Sequence, residues 1–243
     1  MKELLINGCA ELGAAITDEQ ADKLVKYAQL LREWNEKMNL TAITDTEGIA
    51  TKHFLDSITA LCTGKVGQSV IDVGTGAGFP GLVLKIMRPE IKLTLLDSLN
   101  KRINFLKAVA EELGIADGIS FVHGRAEDAG HSREHRAAYD TVVSRAVANM
   151  RVLSEWCLPL AKKGGYFLAM KGPLAQSELE EAKRAIAILG GEVEDVFGAH
   201  IPFTELDHKI ILVKKSRQTP MRFPRKPGIA TKTPIETCYN LRK

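Results

Sequence analysis

Ten residues, Asp72-Val73-Gly74-Thr75-Gly76-Ala77-Gly78-Phe79-Pro80-Gly81, restrict the fold of this chain more than any other stretch. They follow directly on the β-prone run Val70 to Val73, and the apolar run Leu82 to Met87 behind them reads as a helix. Glycines at such a junction permit positive φ and let a ligand approach the main chain with no Cβ in the way, while Pro80 suits a first helical turn. Strand, glycine-rich turn and helix in this order make the ligand-binding corner of an open α/β sheet. The sequence downstream keeps the same rhythm. β-prone runs at Lys92 to Leu96, Ile119 to Val122, Thr141 to Val143 and Tyr166 to Met170 alternate with helical patterns at Ile103 to Leu113, Val152 to Leu160 and Ser177 to Leu189. Two last runs, Gly191 to Phe197 and Ile210 to Val213, have no helix-length pattern between them, which predicts an antiparallel pair closing a mostly parallel sheet.

Ahead of the turn the pattern is helical only. Ala21, Leu24, Val25, Ala28, Leu31 and Trp34 recur at helical spacing behind a capping box at Thr17 and Gln20, and a second helical segment runs from Glu47 to Cys62. We read residues 1–65 as an N-terminal helical appendage and 66–215 as the α/β domain. Residues 216–243 then form a basic, proline-containing tail packed on the domain or extending from it. The first residues are too polar for a secretory signal and no run approaches the ~18 apolar residues of a membrane span, so a cytoplasmic protein is expected. Cys9, Cys62, Cys157 and Cys238 are scattered, without C-x-x-C spacing, and read as reduced structural thiols rather than zinc ligands. Charge is unevenly placed. Residues 214–243 hold nine Lys and Arg against Glu236, a net +8, which leaves −5 for residues 1–213 of a chain whose total is +3. Four prolines in that stretch would hold its charges in an extended strip suited to tracking phosphates.

The turn alone leaves its ligand open. Gly76 to Gly81 fits the dinucleotide pattern G-x-G-x-x-G as well as Gly74, Gly76 and Gly78 fit the G-x-G-x-G of methyltransferases. Asp97 ends the second strand, where a carboxylate can accept hydrogen bonds from ribose hydroxyls of either cofactor. Asp72 tilts the choice, since a carboxylate there can meet a cationic amine directly or through water and would repel a pyrophosphate. Gly124-Arg125-Ala126-Glu127 adds a second acidic turn able to border an adenine. A nicotinamide-dependent oxidoreductase is the competing reading.

In order along the chain, Asn39-Leu40-Thr41-Ala42-Ile43-Thr44, Lys52-His53-Phe54-Leu55-Asp56-Ser57, the Asp72 to Gly81 turn, Leu96-Asp97-Ser98 with Lys101-Arg102, Gly124 to Glu127, Ser144-Arg145-Ala146 and Lys171-Gly172 follow one another. This series, with Phe223-Pro224-Arg225-Lys226-Pro227-Gly228 in the tail, resembles the bacterial 16S ribosomal RNA guanine-N7 methyltransferase family RsmG, once called glucose-inhibited division protein B. The resemblance spans almost the whole chain. It implies a Rossmann-like class I fold of seven strands, S-adenosylmethionine as methyl donor with S-adenosylhomocysteine as product, and N7 of guanosine 527 of 16S ribosomal RNA as acceptor. It places cofactor contacts at Gly74, Phe79, Ala126, Glu127 and Arg145. To these we add Gly76 and Gly78 of the turn and Asp97.

Guanine N7 carries a lone pair and no proton, so alignment and exclusion of water suffice and no general base is expected. Val143-Ser144-Arg145-Ala146 stands where amino-group methyltransferases carry Asp/Asn-Pro-Pro-aromatic, and Cys157 falls inside a helical pattern, so neither amino-group nor carbon-5 chemistry is favoured. Arg145, at a strand's carboxyl end, is the positioning candidate. His53 and Asp56, one helical turn apart, are read either as facing the cleft or as a structural pair. Lys101 and Arg102 open a helix, where the macrodipole disfavours cations, and so point to an anion nearby. Together with Lys171, Arg222, Arg225 and Lys226 they are the RNA-facing candidates. His131-Ser132-Arg133-Glu134-His135 spells a zinc-peptidase pattern, but in a short polar connection it reads as a solvated loop, and no metal is expected. A monomer acting on RNA or the small ribosomal subunit is expected. A catalytically silent RNA-binding scaffold is the third reading.

Overall fold

The computed structural model describes residues 1–235, so Cys238, Arg242 and Lys243 of the basic end lie outside the described residues. A seven-stranded sheet in the order β3-β2-β1-β4-β5-β7-β6 organises the molecule. Strands β1 (Ser69–Val73), β2 (Lys92–Asp97), β3 (Ile119–His123), β4 (Tyr139–Arg145) and β5 (Ala161–Lys171) pair in parallel. β7 (Asp207–Lys215) runs antiparallel to both β5 and β6 (Gly191–His200). Each β-prone run of the sequence lies in one of these strands. β5 departs most, beginning five residues before its apolar run: Ala161 pairs with Tyr139, and an irregularity in register separates that pair from Tyr166 on Thr141.

Helices α5 (Gly81–Met87), α6 (Asn100–Glu112), α7 (Ala126–Ala129), α8 (Met150–Cys157) and α9 (Ala175–Ile188) occupy the crossovers. Strand alternation divides the core. Val70, Leu93 and Leu95 face a cluster with Leu82, Phe105 and Leu106, while Ile71 and Val73 face one with Met150, Leu153 and Leu179. Strand order reverses between β1 and β4, which opens a crevice at their carboxyl ends, the place where doubly wound sheets receive ligands.

The N-terminal helices complete the first of these cores. They are α1 (Lys2–Glu11), α2 (Asp18–Met38), α3 (Thr46–Gly48), a π-helical segment Ile49–Leu55 and α4 (Asp56–Cys62). The capping box forms as expected, Thr17 N donating to Gln20 Oε1 at 2.8 Å and Gln20 N to Thr17 Oγ1 at 3.2 Å. The Gln20 amide then reaches the carbonyls of Ile86 and Met87, capping the end of α5 from another element. α1 carries no side-chain cap and escaped the sequence reading; Leu5, Gly8 and Cys9 bury it against the π-helical segment. That widened turn, a feature common at functional sites, brings His53 and Asp56 to the carboxyl end of β4.

Of the two expectations for the tail, packed on the domain or extending from it, its described part takes the first and is not a free extended strip. Residues 219–235 lie on the domain, with Phe223, Ala230 and Ile235 fully buried and a short α10 (Ile229–Lys232). Apolar side chains drive this docking, and Arg136 fixes it by donating to the carbonyls of Gly130, Thr219, Pro220 and Phe223. Lys214 and Lys215, counted with the tail, belong to β7, and Lys215 is buried with its ammonium on Leu158 O and Thr219 Oγ1. Burial lowers its pKa to about 7. The 131–135 connection is solvated at His131, Arg133 and Glu134, as the sequence suggested, but not at His135. His131 shares a 2.6 Å hydrogen bond with Pro224 O, and buried His135 meets the Tyr139 hydroxyl at 2.7 Å, so both rings serve packing. No helix among the described residues is long and apolar enough to cross a membrane.

Candidate active site

The glycine turn is held from three sides. Gly74 N donates to Leu96 O, the Thr75 hydroxyl to Asp72 Oδ2 at 2.7 Å, and Gly81 N to the same oxygen at 2.9 Å. From α2, fully buried Tyr27 donates its hydroxyl to Ala77 O. Gly74, Gly76 and Gly78 all have positive φ, but for different ends. A Cβ on Gly78 would strike the Tyr27 hydroxyl, Leu82 and Leu106, so that glycine serves packing; a Cβ on Gly76 would meet only Gly74 O, at 3.9 Å. Gly76 therefore opens onto a cavity of about 400 Å³, lined also by Phe79, Asp97, Arg145 and Val147. Asp72 is wholly buried and its Oδ1 has no hydrogen-bond partner among the described residues. Burial raises its carboxyl to about 6, against the pull of the Thr75 and Gly81 bonds.

Asp97, at the end of β2, places one oxygen on Gly76 N (3.0 Å) and Arg102 (3.2 Å) and the other on Leu99 N (2.9 Å). It thus braces the turn and the start of α6 while lining both the cavity and an adjoining 140 Å³ hollow. Ala126 and Glu127, at the start of α7, line the same hollow with Val73, Gly74 and Trp156. Trp156 is a lining residue that sequence reasoning missed; its only signal was a tryptophan on an amphipathic helix.

Arg145 stands where the second cavity, about 660 Å³, joins the first. It donates to Asp56 Oδ2 at 2.7 Å and to Lys52 O at 3.0 Å, and its guanidinium lies over Phe79, 5.1 Å from the ring centre. Asp56, only 1% exposed, takes a further bond from His208 Nδ1 at 2.9 Å, across 152 residues of chain. Burial alone would raise the Asp56 carboxyl, but the His208 and Arg145 contacts outweigh it and hold the group below its ordinary value. His53 stacks on Phe79 with ring centres 4.6 Å apart and shares a 2.8 Å bond with the Thr41 hydroxyl. Burial, reinforced by Arg145, lowers its pKa to about 4, so the ring is neutral at pH 7. The sequence left His53 and Asp56 between cleft and structural roles; the structure gives them both, since each lines the cavity and holds Arg145. His208 was missed, for nothing local marks it.

The cations expected to face RNA divide into two groups. Arg102 finds its anion in Asp97, Lys171 pairs with Glu178 at 2.7 Å and donates to Ala148 O, and Arg225 forks onto buried Glu155 at 2.7 Å. Lys101, Arg222 and Lys226 are exposed, Arg222 lying over the Phe223 ring. Cys157 is buried in α8, where burial drives its thiol far above the ordinary range, which suits packing and not nucleophilic attack. No group of three His, Cys, Asp or Glu among the described residues is placed to hold a metal ion.

A sheet of this order, with a glycine turn after β1, an acidic residue ending β2 and linked hollows above both, defines a class I methyltransferase fold. Solved structures agree on the fold. A 16S rRNA (adenine(1408)-N(1))-methyltransferase from Catenulisporales acidiphilia, solved with cosubstrate SAM, superposes with a TM-score of 0.51 at 17% identity, over 68% of this chain and 93% of that one. The pyocyanin biosynthetic protein PhzM gives 0.52 at 16% identity, over 70% and 56%. The chain belongs to the GidB family, rRNA small subunit methyltransferase G, whose model matches residues 20–207. Ribosomal RNA small subunit methyltransferase G of Alkaliphilus metalliredigens (strain QYMF) is 50% identical over 237 residues, 97% of this chain and 99% of that one. Its counterpart from Clostridium botulinum (strain Loch Maree / Type A3) is 48% identical over 235 residues, 96% and 98%.

Proposed function

We propose that this chain transfers the methyl group of S-adenosylmethionine to N7 of guanosine 527 in 16S ribosomal RNA of the small subunit. The observation that carries the reading is the pair of cavities meeting at Arg145, one over the glycine turn and one beside Lys171 and His208. The first suits the methyl donor. Gly76 offers bare main chain, Asp97 and Glu127 supply acceptors for a nucleoside, and Arg145 a cation for a carboxylate, while wholly buried Asp72 braces the turn from behind through Thr75 and Gly81. Gly74 and Phe79 complete its wall and Ala126 that of the adjoining hollow, whereas Gly78 lines neither and serves packing. A pyrophosphate would meet these carboxylates unfavourably, which separates the site from a dinucleotide pocket. When bound, the sulfonium supplies the electrophilic methyl.

The second cavity is large enough for a purine, and residues of this chain prepare it for attack by an unprotonated nitrogen. Arg145, pinned by Asp56, stands with His53 at its junction with the first cavity, and Met170, Leu174 and Leu206 give apolar walls. Neutral His53 adds no charge against the cationic purine that N7 methylation produces. No side chain is required to take a proton, since N7 bears none. The exposed cations Lys101, Arg222 and Lys226 are assigned to phosphate contact, whereas Arg102, Lys171 and Arg225 are held by carboxylates of this chain. The base enters unpaired or turned out of its stack. Calorimetry tests the cofactor half: micromolar binding of S-adenosylhomocysteine and none of NAD is expected, and the reverse would overturn it. Labelled methyl transfer to small subunits or 16S RNA tests the other half, and its absence with proven cofactor binding would leave only a silent scaffold.

A further inference from the structure

The C-terminal segment touches the wall of the 140 Å³ hollow at Glu127 and, at Glu155, the helix that carries its lining residue Trp156. Gly228 N donates to Glu127 Oε1 at 3.2 Å, and Glu127 lines the hollow. Arg225 Nη2 and Nε grip Glu155 at 2.7 and 2.9 Å, and Glu155 immediately precedes the lining residue Trp156 in α8. Glu155 is fully buried, and Arg225 is its ion-pair partner there. The Trp156 indole Nε1 is itself buried, with no acceptor among the described residues. Ahead of both points in sequence the segment is fastened away from the hollow, by Arg136 on the carbonyls of Thr219, Pro220 and Phe223 and by Pro224 against Gly130 and His131.

We propose that residues 219–230 form a strap that positions the nucleoside end of the cofactor site, setting Glu127 and Trp156 from outside so that a carboxylate and an indole N–H face the ligand together. The inference rests on reading that hollow as part of the cofactor site. Lys226 and Arg222 lie on the outer face of the same strap, so the segment expected to touch RNA is also the one that shapes cofactor binding. Arg136, Arg225 and Gly228 are positioning residues: none lines the hollow.

The test is calorimetric titration of the full chain with S-adenosylhomocysteine, with Trp156 fluorescence followed in a Trp34→Phe background. Loss of a fixed acceptor corresponds to about a five- to tenfold change in affinity. Arg225→Ala and Arg136→Lys are each expected to weaken S-adenosylhomocysteine binding by that factor and to diminish the fluorescence change. They are expected to raise KM for S-adenosylmethionine more than they lower kcat. Lys226→Ala, on the outer face, is expected to leave the S-adenosylhomocysteine affinity within twofold. Should Arg225→Ala not fold, Arg136→Lys, which keeps the buried pair, decides the matter. If Arg136→Lys binds S-adenosylhomocysteine as the unaltered protein does, the strap has no positioning role. Failure of the cofactor reading looks different, because then the unaltered protein would itself not bind S-adenosylhomocysteine.

Discussion

Replacing Asp56 by alanine removes the pin beneath Arg145, and the structure sets the size of the effect. The carboxylate is 1% exposed and accepts from Arg145 at 2.7 Å and His208 at 2.9 Å. Breaking a buried ion pair by deleting one partner costs about 3–5 kcal/mol. Arg145 keeps the Lys52 carbonyl and reaches the cavities, so the low end applies, about 3 kcal/mol. In a chain of this size that lowers the melting temperature by about 6–12 °C. Asp56→Asn retains the volume and one acceptor and should lose about half as much. The carboxyl is held below its unfolded value of 3.8, so its contribution is present above that pH and lost as pH falls through the folded value. The gap between the unaltered protein and Asp56→Asn should therefore close in strong acid. Thermal unfolding by circular dichroism at pH 7 and pH 3 measures both effects. A melting temperature for Asp56→Ala within about 2 °C of the parent would refute the argument.

Three further outcomes follow from particular residues. Gly78→Ala should give little folded protein, since its Cβ meets Tyr27, Leu82 and Leu106, whereas Gly76→Ala should fold with a loss of about 1–2 kcal/mol and bind S-adenosylhomocysteine poorly; folded yield and calorimetry distinguish them, and equal behaviour of the two would count against the assignment of Gly76 to the cavity. Lys215, lowered to about 7 from 10.5, makes the unfolded state the better proton binder above pH 7. Stability should consequently rise between pH 7 and about 8.5 and do so less in Lys215→Met; denaturant melts at both pH values check it, parallel trends going against it. Lys226→Ala should weaken RNA binding and reduce the salt dependence of log K by about one ion, read from filter binding at several salt concentrations, while an unchanged slope would remove Lys226 from the interface.

The sheet was legible because short, near-continuous β-prone runs, the glycine turn and Asp97 are local signals, each a few residues long. Phe79 and Arg145 were legible as members of motifs, but not their meeting, which depends on the reversal of strand order between β1 and β4. His208 could not be found beforehand, because the bond that gives it a role spans 152 residues. The tail misled for a related reason. Counting its charges suggested an extended strip, yet Phe223, Ala230 and Ile235 are too widely spaced to form a helical or strand pattern and still suffice, with Arg136, to dock it. His131 and His135 matched a metal motif in sequence, and their rings are spent on Pro224 and Tyr139 instead.

The most direct test of the account is to map the methyl group itself. Small subunits and 16S ribosomal RNA from a strain lacking the endogenous activity would be incubated with this protein and labelled S-adenosylmethionine. The RNA would then be reduced with borohydride and cleaved with aniline, which breaks the chain at N7-methylguanosine. A single new cleavage at guanosine 527, absent with Arg145→Ala, is the predicted result. Label at another nucleotide, or at a position of guanosine that resists this cleavage, would contradict it.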